Sequence, residues 1–214
     1  MNLHRATRSD WSDIPPQERS FWQRLAASSH GVLTPANFVS LIGALLMVRG
    51  LLFLRDDQLI RGTVLVLVGR FADILDGIVA DYTKTKSPLG EAIDATVDKI
   101  LLILALYVLL DKSLIPLVVG AFMAVHAVYN IAVSTIARQL KARLHPSRAG
   151  KLSAAIEWMS VGFYLLVDIL KQHHHNPNLA HAIALVSFIL FVVSGTWSSI
   201  NYTRHVYYKQ AMRP

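Results

Sequence analysis

The sequence contains no cysteine in 214 residues. Disulfide bonds, thiol nucleophiles and zinc sites with thiolate ligands are therefore excluded. Charged residues are also scarce, at 16% of the chain, whereas a soluble domain has about 25%. Hydrophobic residues make up 53% of the chain, and its mean hydropathy is +0.41. This apolar surplus is too large for one soluble core of this length, so we predict an integral membrane protein.

Six apolar stretches are each close to the ~20 residues that cross a bilayer. They lie at Asn37–Leu54, Gly62–Ala80, Ala92–Leu110, Leu114–Ile136, Leu152–Leu170 and Ala180–Ile200. Backbone polar groups in lipid must pair internally, and the sequence has no alternating barrel pattern, so these stretches are expected to be helices. The predicted fold is an all-α polytopic membrane protein with six transmembrane helices.

The first thirty residues are polar and of mixed charge, without the apolar core of a signal peptide. Phe21, Trp22, Leu25 and Ala26 have the spacing of a short amphipathic helix on the membrane surface. A solvated polar leader fits this segment equally well. We divide the chain into a juxtamembrane segment (1–30), a six-helix membrane domain (31–206) and a cytoplasmic tail (207–214).

The net charge is +7, from 21 Lys and Arg against 14 Asp and Glu. Fourteen of the basic residues lie in the leader, the loops after spans two and four, and the tail. The positive-inside rule places these segments in the cytoplasm, which predicts a cell-membrane protein with both termini inside. No basic stripe alternates with aromatic residues, so no nucleic-acid partner is expected.

Ionisable side chains at membrane depth are costly and mark functional sites. Here they concentrate at the end of span two and the start of span three, as Asp73, Asp76, Asp94 and Asp98. At about 100° per residue, Asp73 and Asp76 share one helix face, and Asp94 and Asp98 are i, i+4 on the next helix. A loop of about nine residues makes these helices antiparallel neighbours, so the four carboxylates are expected to converge.

Four converging carboxylates repel one another, and two divalent cations would balance their charge. Mg²⁺ and Mn²⁺ prefer carboxylate oxygen and keep coordination positions open for phosphate. Alternatively, the carboxylates pair with Arg70 and Lys99 and only line a wet cleft. A divalent-cation transporter is a further alternative, although it predicts acidic groups spread through the bilayer depth.

These residues resemble the signature of the CDP-alcohol phosphatidyltransferase family, D-x2-D-G-x2-A-R-x8-G-x3-D-x3-D. Seven of its eight fixed positions are matched, at Asp73, Asp76, Gly77, Ala80, Gly90, Asp94 and Asp98. The six spans are also similar to this family, so the resemblance covers nearly the whole chain. It implies phospholipid biosynthesis by transfer of a phosphatidyl group from CDP-diacylglycerol to an alcohol, with release of CMP, in an enzyme that forms a homodimer.

The resemblance also implies roles for individual residues. Asp73, Asp76, Asp94 and Asp98 would bind two Mg²⁺ or Mn²⁺ ions, and Asp98 would also be the base for the acceptor hydroxyl. The donor would contact Asn37, Gly77 and Ser87.

The basic loop after span four is similar to the acceptor site of phosphatidylglycerophosphate synthases. On that resemblance Arg138, Arg148 and Lys151 would hold the phosphate of a small phosphorylated polyol. Glycerol 3-phosphate is the favoured acceptor and inositol phosphate the second. A loop attracted to anionic membrane lipids explains the same charges.

One position departs from the family signature, because Asp81 stands where the family has arginine. Three interpretations are open. The cation comes from Arg70, Lys84 or Lys86; the donor pocket binds a different headgroup; or the protein is a catalytically impaired relative.

Other polar residues carry weaker signals. His126, Glu157 and Asp168 are single polar groups within spans, and we expect them to form interhelical hydrogen bonds. His173, His174 and His175 are expected to be a solvated run outside the membrane.

Overall fold

The computed structural model describes residues 9–139 and 148–211, apart from the side chains of residues 88, 91, 92, 95, 137–139, 148, 149, 151, 205, 206 and 208–211. In these ranges the chain forms helices and no strand. They are α1 (Phe21–Ser28), α2 (Pro35–Arg55), α3 (Leu59–Thr83), α4 (Pro88–Asp111), α5 (Leu117–Gln139), α6 (Arg148–Gln172) and α7 (Asn178–Ala211). Helices α2 to α7 correspond to the six predicted apolar stretches, so the all-helical class is confirmed.

Among the described residues, four helices contain segments long and apolar enough to cross a membrane. They are Pro35–Arg55, Leu117–Ile136, Leu152–Gln172 and Asn178–Arg204. Large apolar side chains are exposed on them, including Leu45, Val125 and Val193, each more than 60% exposed. Such a surface is typical of lipid contact, and we conclude that the chain is an integral membrane protein. Helices α3 and α4, which carry the aspartates, are not among the four, so the count of six spans stays a prediction.

The chain divides into two compact units, with the boundary between Leu104 and Ala105. In the first unit the leader forms the expected short helix, α1. Its N-cap is Ser20, whose hydroxyl accepts from the Gln23 backbone N–H, while the Gln23 side chain accepts from the Ser20 N–H. The Gln23 amide also donates to the Thr83 carbonyl at 3.5 Å, which joins α1 to the end of α3. Attachment of α1 to the membrane surface stays a prediction.

Helices α2 and α3 approach closely at glycines. Gly43 and Gly50 lie seven residues apart on α2, and Gly62 and Gly69 lie seven apart on α3. A Cβ on Gly50 would lie 2.8 Å from the Gly62 carbonyl oxygen, and one on Gly69 would lie 2.6 Å from that of Gly43. The two backbones are therefore in contact, as in other small-residue interfaces between membrane helices, and this contact fixes the register of α2 against α3.

We expect the variant Gly50→Leu to destabilise the first unit by about 1–3 kcal/mol, because backbone atoms of α3 occupy the space its side chain needs. The matched control is Gly77→Ala on α3, where a Cβ would meet no atom within 4 Å. Thermal unfolding in detergent should show a lower midpoint for Gly50→Leu and an unchanged or higher one for Gly77→Ala. Equal midpoints for Gly50→Leu and the parent chain would contradict the close packing.

The turn between α3 and α4 is shorter than predicted. Helix α3 ends at Thr83, with Lys84 as its C-cap at a φ of +52°. Helix α4 begins with Pro88, and the Oγ of the preceding Ser87 caps it by accepting from the Gly90 N–H at 2.9 Å. Both helices extend into the expected nine-residue loop, and four residues remain.

The leader packs against this turn. The Asp10 N–H donates to the Lys86 carbonyl at 3.0 Å, and the Lys86 N–H donates to the Asp10 carboxylate at 3.2 Å. A Cβ on Gly31, whose φ is +88°, would lie 2.2 Å from Ser87 Oγ. Only glycine leaves room for this close approach, so Gly31 allows the Ser87 side chain to pack against the leader.

In the second unit α6 and α7 pack along much of their length, and α5 contacts α7. Met123, Leu165 and Phe191 are fully buried, and the Phe122 ring lies edge-on to that of Phe191 at 5.8 Å. The interhelical hydrogen bond expected of His126 is present, because its side chain bonds to the Gly195 backbone on α7. Nearby, the hydroxyl of Ser199 on α7 donates to the side-chain oxygen of Asn130 on α5 at 3.2 Å. Asp168 does not follow the expectation, since it pairs with Lys171 on its own helix at 3.1 Å. For Glu157, which is 5% exposed on α6, an interhelical hydrogen bond stays a prediction.

Candidate metal and active site

Three of the four predicted carboxylates form one group. Asp73 and Asp76 on α3 and Asp94 on α4 each offer a carboxylate oxygen, and these oxygens all lie within 4.8 Å of one another. Asp76 is 6% exposed, and the other two are half-buried. The short turn between α3 and α4 brings the two helices together, and the i, i+3 spacing places Asp73 and Asp76 on one face.

The donor atoms of this group suit a hard divalent cation. All three are carboxylate oxygens, which Mg²⁺ and Mn²⁺ prefer over nitrogen or sulfur ligands. Three negative charges within 4.8 Å also repel one another, and a cation relieves that repulsion. Gly77 follows Asp76 directly and is exposed to open space, since a Cβ there would meet no atom within 4 Å. The three aspartates therefore fit a metal site with room beside it for a ligand.

Asp98 joins the site through an arginine. Arg70 Nη1 on α3 lies 2.6 Å from Asp73 Oδ2 and 2.5 Å from Asp98 Oδ1 on α4. The guanidinium is mostly buried, so it ties the two helices together at the depth of the carboxylates. The structure therefore contains features of both interpretations, because three of the carboxylates converge and Arg70 pairs with Asp73 and Asp98. The metal-binding role of the carboxylates stays a prediction. A single guanidinium balances only one of the four negative charges.

Ser40 is a site residue that the sequence analysis missed. Its hydroxyl donates to Asp76 Oδ2 across the α2–α3 interface. Because Asp76 is buried, this hydrogen bond fixes the orientation of its carboxylate toward Asp73 and Asp94. The sequence signal is weak, since a serine in an apolar helix commonly bonds to its own backbone. Ser40 also lies 3.1 Å from the Ala36 carbonyl.

We expect Ser40→Ala to weaken divalent-metal binding by about tenfold, because the orientation of Asp76 loses its support. Ser40→Thr, which keeps the hydroxyl, should restore most of the affinity. Mn²⁺ titration of purified protein, followed by electron paramagnetic resonance, measures both. Equal affinity for the alanine variant and the parent chain would contradict a positioning role.

The predicted donor residues Asn37 and Ser87 lie together around Gly90. A Cβ on Gly90 would lie 3.0 Å from Ser87 Oγ and 3.6 Å from Asn37 Oδ1. The Asn37 amide nitrogen donates to the carbonyl oxygens of Gly31 at 3.2 Å and Val32 at 2.7 Å, which holds its Oδ1 in place. Because Gly90 is four residues before Asp94, these two polar side chains lie about one helical turn from the carboxylates.

Asp81, which replaces the arginine of the family signature, forms an ion pair with a lysine. Its Oδ1 lies 2.6 Å from Lys86 Nζ, in an exposed ion pair at the end of α3. The aspartate thus places an ammonium group near the position where the family has its arginine. Of the other candidate cations, Arg70 is engaged by Asp73 and Asp98.

The side chains of the predicted acceptor residues lie outside the described part of the structure. The side chains of Arg138, Arg148 and Lys151 are among those not described, although Arg138 lies near the end of α5 and the other two in the first turn of α6. Their role stays a prediction. In the described ranges His173, His174 and His175 do not form a three-ligand metal group.

Comparison with known proteins agrees with the geometry. The profile of the family described as CDP-alcohol phosphatidyltransferase matches residues 33–197, which is more than half of the chain. No curated protein and no solved structure matched the chain. Members of this family act in membrane phospholipid biosynthesis by phosphatidyl transfer and generally use divalent metals. The chain belongs to the CDP-alcohol phosphatidyltransferase family.

Proposed function

We propose that this protein transfers a phosphatidyl group from CDP-diacylglycerol to an alcohol and releases CMP. The observation that carries the proposal is the convergence of the Asp73, Asp76 and Asp94 oxygens within 4.8 Å, at the positions of the family signature. Carboxylates alone would repel a diphosphate substrate. Divalent cations bound to them would offset this repulsion and allow the diphosphate to bind.

In the proposed reaction Asp98 accepts the proton of the acceptor hydroxyl. The hydroxyl oxygen forms a bond to the phosphorus that carries diacylglycerol, and the bond from that phosphorus to the bridging oxygen breaks. CMP leaves with the electron pair, and the products are a phosphatidyl ester, CMP and the proton on Asp98. Arg70 orients the Asp98 carboxylate through their 2.5 Å contact.

Asp73, Asp76 and Asp94, with Asp98, would hold two Mg²⁺ or Mn²⁺ ions. When bound, such ions neutralise diphosphate charge and stabilise the leaving phosphate. Asn37 and Ser87 would contact the nucleotide beside Gly90, and Gly77 would leave space for the diphosphate next to Asp76.

For the acceptor we propose glycerol 3-phosphate first and inositol phosphate second, held by Arg138, Arg148 and Lys151. A planar guanidinium can bind a phosphate through two hydrogen bonds, which suits a small phosphorylated polyol. We further propose that α3 and α4 also cross the membrane, that the active site faces the cytoplasm, and that the enzyme works as a homodimer. The uneven distribution of basic residues supports the orientation.

The experiment is incubation of the purified protein with labelled CDP-diacylglycerol, Mg²⁺ or Mn²⁺, and each acceptor separately. The proposal predicts CMP release that depends on metal and acceptor, with phosphatidylglycerophosphate as the main lipid product. Release with inositol phosphate alone would move the assignment to the second acceptor. Mn²⁺ transport into liposomes without any CMP release would overturn the transferase function in favour of a transporter.

The ion pair between Lys86 and Asp81 suggests a replacement for the missing arginine. If the Lys86 ammonium group contacts the donor in place of that arginine, Lys86→Gln should raise KM for CDP-diacylglycerol by about fivefold, the scale of an exposed charge contact. Lys84→Gln, in the same turn, is the matched control and should leave KM unchanged. The reverse pattern would assign the cation to Lys84, and an improved KM in Asp81→Arg would indicate an impaired relative.

A further inference from the structure

The second unit contains a cavity that the proposed transfer reaction does not use. It has a volume of about 490 Å³, within the range of about 300–1,000 Å³ typical of ligand pockets. It is surrounded by the end of α4, the turn at residues 113–116, the start of α5, the last two turns of α6 and the first turn of α7. The candidate spans Leu117–Ile136, Leu152–Gln172 and Asn178–Arg204 each end or begin near this level. The cavity therefore lies at the depth where hydrocarbon gives way to headgroups.

The lining of the cavity is amphipathic. One wall is apolar and consists of Leu114 and Ile115 from the turn, Leu117 at the start of α5 and Val167 from α6. Tyr164, Asp168 and Lys171 on α6 and His181 on α7 provide a polar side. A ligand with an apolar chain joined to a polar head matches both parts, and phospholipids are the abundant ligands of that kind in a membrane.

The charges of the lining favour one class of headgroup. Asp168 and Lys171 carry one charge of each sign and face each other at 3.1 Å, with 21% and 61% of their side chains exposed. A purely anionic headgroup would meet the Asp168 carboxylate as a like charge. A zwitterionic headgroup can set its phosphate against Lys171 and its ammonium against Asp168. The Tyr164 ring, edge-on to His181 at 6.3 Å, adds an aromatic surface to the same side.

We propose that this cavity is a binding site for a zwitterionic phospholipid, with the headgroup paired to Asp168 and Lys171 and an acyl chain along the turn between α4 and α5. The lining of this cavity shares no residue with the carboxylate group. It would give the enzyme a structural or regulatory contact with the surrounding bilayer.

The test is native mass spectrometry of delipidated protein in detergent, titrated with phosphatidylethanolamine, phosphatidylcholine or phosphatidylglycerol of identical acyl chains. The expected result is about tenfold tighter binding of the two zwitterionic lipids, the scale of a charge-assisted pair. Asp168→Asn and Lys171→Gln should each remove the preference. The matched controls Asp111→Asn and Lys112→Gln, in the same region but outside the lining, should keep it.

Two further measurements control for unstable single variants and for binding of the headgroup alone. The charge-exchanged double variant Asp168→Lys with Lys171→Asp retains one charge of each sign, so it should keep the zwitterionic preference even if the single variants are unstable. Glycerophosphoethanolamine, which lacks acyl chains, should bind much more weakly than the lipid. Equal or tighter binding of phosphatidylglycerol, an unchanged preference in both single variants, loss of the preference in a folded double variant, or equal binding of the chain-free headgroup would overturn the proposal.

Discussion

Replacing Asp98 with asparagine is expected to lower the rate of CMP release by about 10²–10⁴-fold, the usual contribution of a positioned general base. Asparagine keeps the size and most hydrogen bonds of the side chain, so the contact of residue 98 with Arg70 can persist without its charge. The variant should therefore fold normally and still bind the donor. A single-turnover assay of CMP release at saturating CDP-diacylglycerol measures the effect on the chemical step.

The matched control is Asp56→Asn, an exposed aspartate at the end of α2 that takes no part in the carboxylate group. It should release CMP at the parent rate. Raising the Mn²⁺ concentration should not rescue Asp98→Asn, because the proton acceptor stays absent at any metal concentration. A rate above one-tenth of the parent rate, or recovery in high Mn²⁺, would show that Asp98 is not the base.

The second large effect is expected at Asp76, the most buried of the grouped carboxylates. Asp76→Asn removes the charge of one of the three grouped carboxylates and leaves the Ser40 hydroxyl with a neutral partner. We expect Mn²⁺ affinity to fall by about 100-fold, the upper range for loss of a charged interaction. Mn²⁺ titration by electron paramagnetic resonance measures the affinity, with Asp111→Asn as the control.

Asp76→Asn and Asp98→Asn should differ in their response to metal. Activity of the Asp76 variant should recover in part at high Mn²⁺, since its defect is in binding. If Asp76→Asn binds Mn²⁺ as tightly as the parent chain, the grouped aspartates are not the metal site.

The helices and the carboxylate group could be predicted from the sequence because both depend on local patterns. Apolar length located α2 to α7, and the i, i+3 and i, i+4 spacings placed the aspartates on helix faces. The contact between Ser40 and Asp76 could not be predicted in this way. Helix α2 is apolar on nearly every side, so its hydropathy does not indicate which face meets α3.

The spacing of the glycines indicates which helix faces are in contact. The seven-residue spacing of Gly43 and Gly50 on α2, and of Gly62 and Gly69 on α3, marks the two faces in contact. That pairing would also have placed Ser40 beside α3. The close contact between Ser87 and Gly31 could not be predicted either. It forms because the leader packs against the α3–α4 turn, and no sequence periodicity indicates a contact between such distant residues.

Anomalous diffraction from crystals grown with Mn²⁺ and CDP-diacylglycerol would locate the metal ions directly. We expect two anomalous peaks within about 2.0–2.4 Å of carboxylate oxygens from Asp73, Asp76, Asp94 and Asp98, with the donor diphosphate on the open side beside Gly77. Absence of peaks at these aspartates, with Mn²⁺ bound elsewhere in an active enzyme, would contradict a metal site at these carboxylates.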